Sequence, residues 1–261
     1  MRLSRAFLCT LTILFLGIRL RADDGLEALL TRTSQQTAVF LDQFSNVKCT
    51  EQVRQEKLKP DGKQERDVES TYDYLIILSN NGGELSLNES RLEIHPAKVD
   101  RQKTSLLVSN GFATLFLIFH TFYAPSFQFS PLADESIDGK NMRVVSFKHI
   151  AGTRSPAALS LRGREYALEL SVQAWIDPQT GTIARMTATI GGTMQDVGLK
   201  SMTTEVDFAP VSFQSLHQTY WFPAKAEVEV ETPRQHWRNT HNFSDYKLFS
   251  VDTNEKVATN K

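Results

Sequence analysis

Apolar residues recur first at helical spacing and then at alternate positions. Leu26, Leu29, Leu30, Thr33, Ala38, Leu41 and Phe44 recur mostly three or four apart, which predicts an amphipathic helix over 23–44. Asp23 and Asp24 suit its N-terminus, as caps and against the helix dipole. After it the period changes to two. Segments 47–58 and 64–78 flank Lys59-Pro60-Asp61-Gly62 and read as a long hairpin, because Pro presets one dihedral and Gly allows positive φ. Asn80-Asn81-Gly82-Gly83 predicts the next reversal, into a strand over 84–94.

The second half follows the same grammar. Asp138-Gly139-Lys140-Asn141 opens a strand over 142–150, and 167–176 is joined to 182–190 through Asp177-Pro178-Gln179-Thr180-Gly181. Leu168, Leu170, Val172, Ala174 and Ile176 share one face, while Glu169, Ser171, Gln173 and Trp175 share the other, as in a sheet with one buried side. Further strands are expected over 201–208, 220–231 and 236–251. About ten strands at this spacing, with no fixed repeat, predict an α+β chain that is mostly antiparallel β: one curved sheet, either an open half-barrel or a sandwich.

Segment 111–123 breaks the pattern. Phe112, Ala113, Leu115, Phe116, Leu117, Ile118, Phe119, Phe122 and Tyr123 leave almost no polar face, and a helix apolar all round must be enclosed by protein or lipid. Such a helix of about 12 residues would be about 18 Å long, too short to span a bilayer. It is expected in or across the concavity of the sheet, either as plain core or as the floor or lid of an apolar pocket. Leu115, Phe116, Phe119, Phe122 and Phe127 are the candidate lining, with Trp237 near the mouth.

The N-terminus changes the compartment. Arg2 and Arg5, an apolar run from Ala6 to Ile18, and then Arg21-Ala22 before Asp23-Asp24 have the order of a secretory signal peptide over 1–22. At roughly a dozen residues the run is short of the about 20 a spanning helix needs, though an uncleaved anchor stays open. A single domain over 23–251 and a flexible tail over 252–261 complete the expected organisation. Loss of Arg2, Arg5, Arg19 and Arg21 takes 29 basic residues to 25 against 30 acidic ones, a formal charge near −5. A mildly acidic chain of this kind is a poor nucleic-acid binder. Cys49 is then the one remaining thiol, so no internal disulfide forms. It is either a buried small hydrophobe or a reactive nucleophile.

Catalytic signatures are mostly missing: there is no Gly-x-Ser-x-Gly elbow, His-Glu-x-x-His pair, Walker loop or Gly-x-Gly-x-x-Gly. His236 and His241 are five apart on a predicted strand, so their rings point to opposite faces and cannot share a metal. No metal or other cofactor is therefore expected. Glu227, Glu229 and Glu231 alternate with Ala226, Val228 and Val230, the pattern of a solvated face. Glu51 is odder, because it is in register with Val47, Cys49 and Val53. It is either an inward polar group or is turned outward by a bulge. Tyr220-Trp221-Phe222-Pro223 and Arg234-Gln235-His236-Trp237-Arg238 gather aromatics and positive charge near strand ends. They fit peripheral contact with lipid headgroups or an anionic partner, or plain packing at the rim of the sheet.

The string Trp175-Ile176-Asp177-Pro178-Gln179-Thr180-Gly181-Thr182-Ile183-Ala184-Arg185-Met186 is similar to the Trp-x-Asp…Thr-Gly-x-x-x-Arg hairpin of exported bacterial proteins of the lipoprotein-carrier type, the LolA/RseB-like group. Val206-Asp207-Phe208-Ala209-Pro210-Val211, Tyr220-Trp221-Phe222-Pro223 and Phe243-Ser244-Asp245-Tyr246-Lys247-Leu248-Phe249 resemble patterns in the same group, so the likeness covers the C-terminal third to half of the chain. It implies an incomplete antiparallel barrel with helices in its concavity, binding an acyl chain or a lipid-linked protein. The leading expectation is a non-enzymatic protein of the periplasm or cell envelope that holds a lipid or other amphiphile in an apolar half-barrel. The alternative is an envelope sensor or assembly module that binds another protein through its sheet edge or rim. An enzyme would need a constellation such as Glu51 with a distant histidine.

Overall fold

A computed structural model describes residues 18–43, 46–81, 84–93, 112–156, 158–161, 164–190, 194, 198–213 and 217–248. Expectations that fall on 1–17, on Phe44, on Gly111 and on the tail 252–261 lie outside the described residues. The N-terminal helix α1 (Ile18–Gln43) is followed by strands β1 (Asn46–Leu58), β2 (Gln64–Asn81) and β3 (Glu84–Glu93). A 3-10 helix (Phe112–Phe119) and a short 3-10 turn (Ala124–Ser126) lead into β4 (Phe127–Pro131), β5 (Glu135–Ile137) and β6 (Lys140–His149). A small hairpin of β7 (Ala158–Leu161) and β8 (Arg164–Ala167) stands apart from the main sheet. Then come β9 (Leu170–Ile176), β10 (Ile183–Ile190), β11 (Ser201–Phe213), β12 (Gln218–Glu231) and β13 (His236–Leu248).

One open antiparallel sheet holds eleven of these strands in the order β3-β2-β1-β13-β12-β11-β10-β9-β6-β4, with β5 paired to β6. It is not closed into a barrel, as the half-barrel expectation required. The first three strands form one meander, and β6 and β9 to β13 form most of a second. The two are joined at the middle by β1 and β13, which pair from Val47 with Leu248 to Leu58 with His236. Since β3 and β4 are opposite edges of the sheet, the connection between them has to travel from one edge to the other. The all-apolar segment lies on that path, between α1 and the sheet, in contact with α1, β12 and β3. Its apolar character all round follows, because both of its sides face protein.

Several local expectations are corrected. The 111–123 helix is a 3-10 helix of 8 residues rather than an α-helix of about twelve. At three residues per turn it stacks Phe112, Leu115 and Ile118 in one row and Phe116 and Phe119 in another. Helix α1 begins at Ile18, so Asp23 and Asp24 lie within it rather than at its N-terminus. Its buried stripe is Leu29, Thr33, Thr37 and Leu41, while Ala38 is exposed. The strand expected over 167–176 is two pieces, β8 and β9, separated at Leu168 and Glu169. Trp175 does point away from the main core, but it is buried there with Met142, Val144 and Ala184 and donates its indole N–H to Glu135 at 2.9 Å.

Two other turns form as their residues dictate, whereas Gly82 and Gly83 of the expected Asn80–Gly83 reversal lie outside the described residues. Gly62 takes φ +79° and closes onto Lys59 at 2.9 Å, and Asp138 and Gly139 both take positive φ at the β5–β6 hairpin. Among the described residues no helix is long and apolar enough to cross a membrane.

Candidate functional site

Helix α1 is pinned across the sheet by the Asp177–Gly181 turn. Asp177 accepts the backbone N–H groups of Gln179 at 2.8 Å and Thr180 at 3.2 Å, and Gly181 donates back to the Asp177 carbonyl at 2.9 Å. Gly181 sits at φ +76°, and a Cβ there would lie 2.7 Å from the Arg32 carbonyl carbon and 2.8 Å from the Thr33 nitrogen. Only glycine lets the turn approach the helix this closely. Arg32 completes the clasp by donating to the Pro178 carbonyl at 2.9 Å.

Beside the clasp a cavity of about 330 Å³ opens between α1 and the ends of β10, β11 and β12. Its apolar wall is Phe40, Phe116, Ile183, Phe208 and Trp221. Phe40 meets the edge of Phe116 at 4.5 Å and packs on Phe222 at 5.1 Å, which ties the helix, the 3-10 segment and the sheet together. The polar wall carries Thr33, Gln36 and Thr37 from α1, with Thr180, Thr182, Thr219 and Tyr220 opposite. The volume is at the lower end of the about 300–1,000 Å³ usual for small-ligand sites. A second hollow, of about 500 Å³, is lined by Gln128, Ser130, Lys148, Gln173, Thr187 and Thr189 among others. Phe147 and Val172 also border it, so its lining is mixed.

Of the six residues expected to line a pocket, Phe116 borders the α1 cavity. Leu115, Phe119 and Phe127 are buried in the main core. Phe119 packs edge-on against Phe147 at 5.2 Å, and Phe127 meets the same ring at 6.0 Å. Phe122 is half-buried beneath the Arg154 guanidinium, 3.8 Å from its ring centre. Trp237 is half-buried on β13, between Lys57 of β1 and Val230 of β12. Sequence reasoning missed Phe40, Phe208 and Trp221 as cavity residues. Their spacing is that of an ordinary helix or strand, and only the docking of α1 brings them together.

The inner face also carries a buried ion network. Glu51 points inward and is fully buried, which settles the two readings left open for it. Its carboxylate accepts both Nε and Nη2 of Arg91, the latter at 2.7 Å, and lies 2.8 Å from Nδ1 of His241. Arg91 reaches it from β3 across β2, passing 5.1 Å from the Tyr74 ring centre. Phe112 covers the His241 ring at 4.6 Å, with Phe243 beside it. Burial alone would raise the Glu51 carboxyl; hydrogen bonds from His241 and Arg91 and the Arg91 charge outweigh it and hold the group below its ordinary value. Burial likewise works against the Arg91 charge, and its bond to Glu51 more than restores it.

This is the constellation of Glu51 with a distant histidine that would support an enzyme, and both groups are buried. The carboxylate is already paired, and aromatic rings cover the imidazole. Burial pushes the neighbouring Cys49 thiol up to about 12, so it is a neutral, buried side chain rather than a nucleophile. On the opposite face, His236 bonds Glu229 at 2.5 Å and Lys200 bonds Glu231 at 2.5 Å. The glutamate row is thus an ion-paired surface, and the two histidines do face opposite ways.

No known family profile and no curated relative matches the chain. Solved structures similar to it include a DUF1329 family protein from Desulfovibrio piger, 11% identical, covering 87% of this chain and 95% of that one, with a TM-score of 0.45. A putative outer membrane lipoprotein-sorting protein domain from Vibrio parahaemolyticus is also 11% identical, covering 87% and 95%, with a TM-score of 0.39. The Pseudomonas aeruginosa MucA/MucB complex supplies a third, 9% identical over 88% of this chain and 100% of that one, with a TM-score of 0.21.

Proposed function

We propose that this is an exported, non-enzymatic protein of the periplasm or cell envelope that binds a lipid or other amphiphile. The binding site is the cavity between α1 and the ends of β10 to β12. The observation that carries the reading is the cavity's division into an aromatic wall, Phe40, Phe116, Phe208 and Trp221, and a hydroxyl wall from α1 and the facing turns. An acyl chain against the first and a polar head against the second would satisfy both. Apolar burial contributes about 25 cal/mol per Å² removed from water, so the affinity needs few polar contacts. The leader read over 1–22 supports export.

Native mass spectrometry of the mature protein, purified without detergent, tests the reading. A co-purifying adduct of lipid mass is expected. Bare protein that also binds neither a fluorescent fatty acid nor a fluorescent acylglycerol removes the proposal. The two edges of the sheet, β3 and β4, each pair on one side only among the described residues, and this favours a second reading in which a protein partner adds a strand. That reading gains if the cavity stays empty while a partner protects an edge strand from hydrogen exchange.

A further inference from the structure

Taking the α1 cavity as an amphiphile site, we infer that it selects an uncharged acyl compound with a hydroxyl-bearing head, of the monoacylglycerol type, over a fatty-acid anion. The inference rests on the reading above and adds the chemistry of the head. Thr33, Gln36, Thr37 and Phe40 are spaced so that they share one side of α1, and all four border the cavity. An amphipathic helix facing a purely apolar pocket would carry leucine or valine at such positions. Three of the four are instead polar and uncharged, and Thr33 and Thr37 are buried.

Where the hydroxyl protons go decides which head fits. Thr33 Oγ1 donates to the Leu29 carbonyl at 3.0 Å, so its remaining capacity is to accept. Thr180 Oγ1 donates to Thr182 Oγ1 at 2.9 Å and accepts the Thr182 N–H at 3.2 Å, so its proton is also spent. Thr182 and Gln36 keep donor capacity for an ester or hydroxyl oxygen. An ionised carboxylate can only accept. Thr182 and Gln36 could donate to it, but among the described lining residues it would meet no cation. Removing such a charge from water without a partner is strongly unfavourable. Arg32, one residue before Thr33, directs its guanidinium to the Pro178 carbonyl and is not part of the lining. A hydroxyl group both donates and accepts, and so matches the wall.

Displacement titrations of the full chain with 1-monomyristoylglycerol, methyl myristate and sodium myristate at about pH 8 separate the head from the tail. The acylglycerol is expected to bind about tenfold more tightly than the methyl ester, the scale of one or two net hydrogen bonds, and more tightly than myristate. Thr33→Val keeps the side-chain shape and removes the acceptor. It should bring the acylglycerol close to the methyl ester while leaving the ester's own affinity unchanged. If that variant melts early, Thr180→Val, which removes the other accepting hydroxyl, makes the same comparison. Myristate binding as tightly as the acylglycerol, or an acylglycerol-to-ester ratio that neither variant moves, overturns the inference and leaves the amphiphile reading standing. If none of the three compounds binds, the amphiphile reading itself falls and the inference falls with it.

Discussion

His241 Nδ1 lies 2.8 Å from the Glu51 carboxylate, joining two residues 190 positions apart at the centre of the sheet. The contact sits on the β1–β13 pairing that holds the two meanders together. With Arg91 on β3, the network fastens the N-terminal meander to β13 through charge as well as through backbone hydrogen bonds.

Replacing Glu51 with Gln is expected to destabilise the fold by about 3–5 kcal/mol, because Arg91 would stay buried without its counter-charge. Urea denaturation measures the loss. Glu51→Gln combined with Arg91→Met should recover part of it, and a double variant no better than the single one would show that the pair is not coupled.

The same network fixes how acid acts. The folded Glu51 carboxyl titrates below its ordinary value of 4.5. A group depressed in the folded state stabilises fully above its unfolded pKa, and that contribution is lost as pH falls through the folded value. The stability difference between the native chain and Glu51→Gln should therefore be widest near neutral pH and should shrink below about pH 4.5. Urea midpoints across that range test it; a gap independent of pH contradicts the assignment.

Phe119→Ala should cost about 3–5 kcal/mol of stability, since the ring is buried among Phe129 and Phe147 and its removal leaves a cavity. Phe116→Ala acts on a ring that also borders the ligand cavity, so it should weaken acyl binding as well as stability. Thermal melting beside ligand titration distinguishes the two. A Phe119 variant that melts normally and loses only binding would move that ring from the core to the pocket.

Gly181→Ala forces both a positive-φ alanine and a Cβ within 2.7 Å of the α1 backbone. A loss of about 1–3 kcal/mol from the backbone conformation alone is expected, with more from the displaced helix. Hydrogen exchange should show α1 losing protection while β1 and β13 keep theirs; uniform loss across the sheet would refute a local clasp.

Most of the sheet was legible in the sequence because a strand half-buried on one face writes a period of two, as Leu170, Val172, Ala174 and Ile176 do in β9. The 3-10 geometry of Phe112–Phe119 was not, since a run that is apolar at every position carries no period from which to tell one helix type from another. Trp175 was read as outward with the polar residues. It does point outward, but β5 supplies a local cover that only the β5–β6 pairing reveals.

Glu51 stands out by its inner-face register; Arg91 alternates in β3 with Ser90 and Leu92, on the side of Glu89. Matching two opposite charges on buried faces of strands two apart would have found the pair. His241 could not be placed in this way, because its neighbour is set by the long-range pairing of β1 with β13.

That pairing also orders the protein's assembly. With β13 seated between β1 and β12, a nascent chain can form its first meander and much of its second, yet the two remain unjoined until β13 emerges. Until then the edges of β1 and β12 stay open and adhesive, which makes the interval before completion the one in which a holding chaperone matters most.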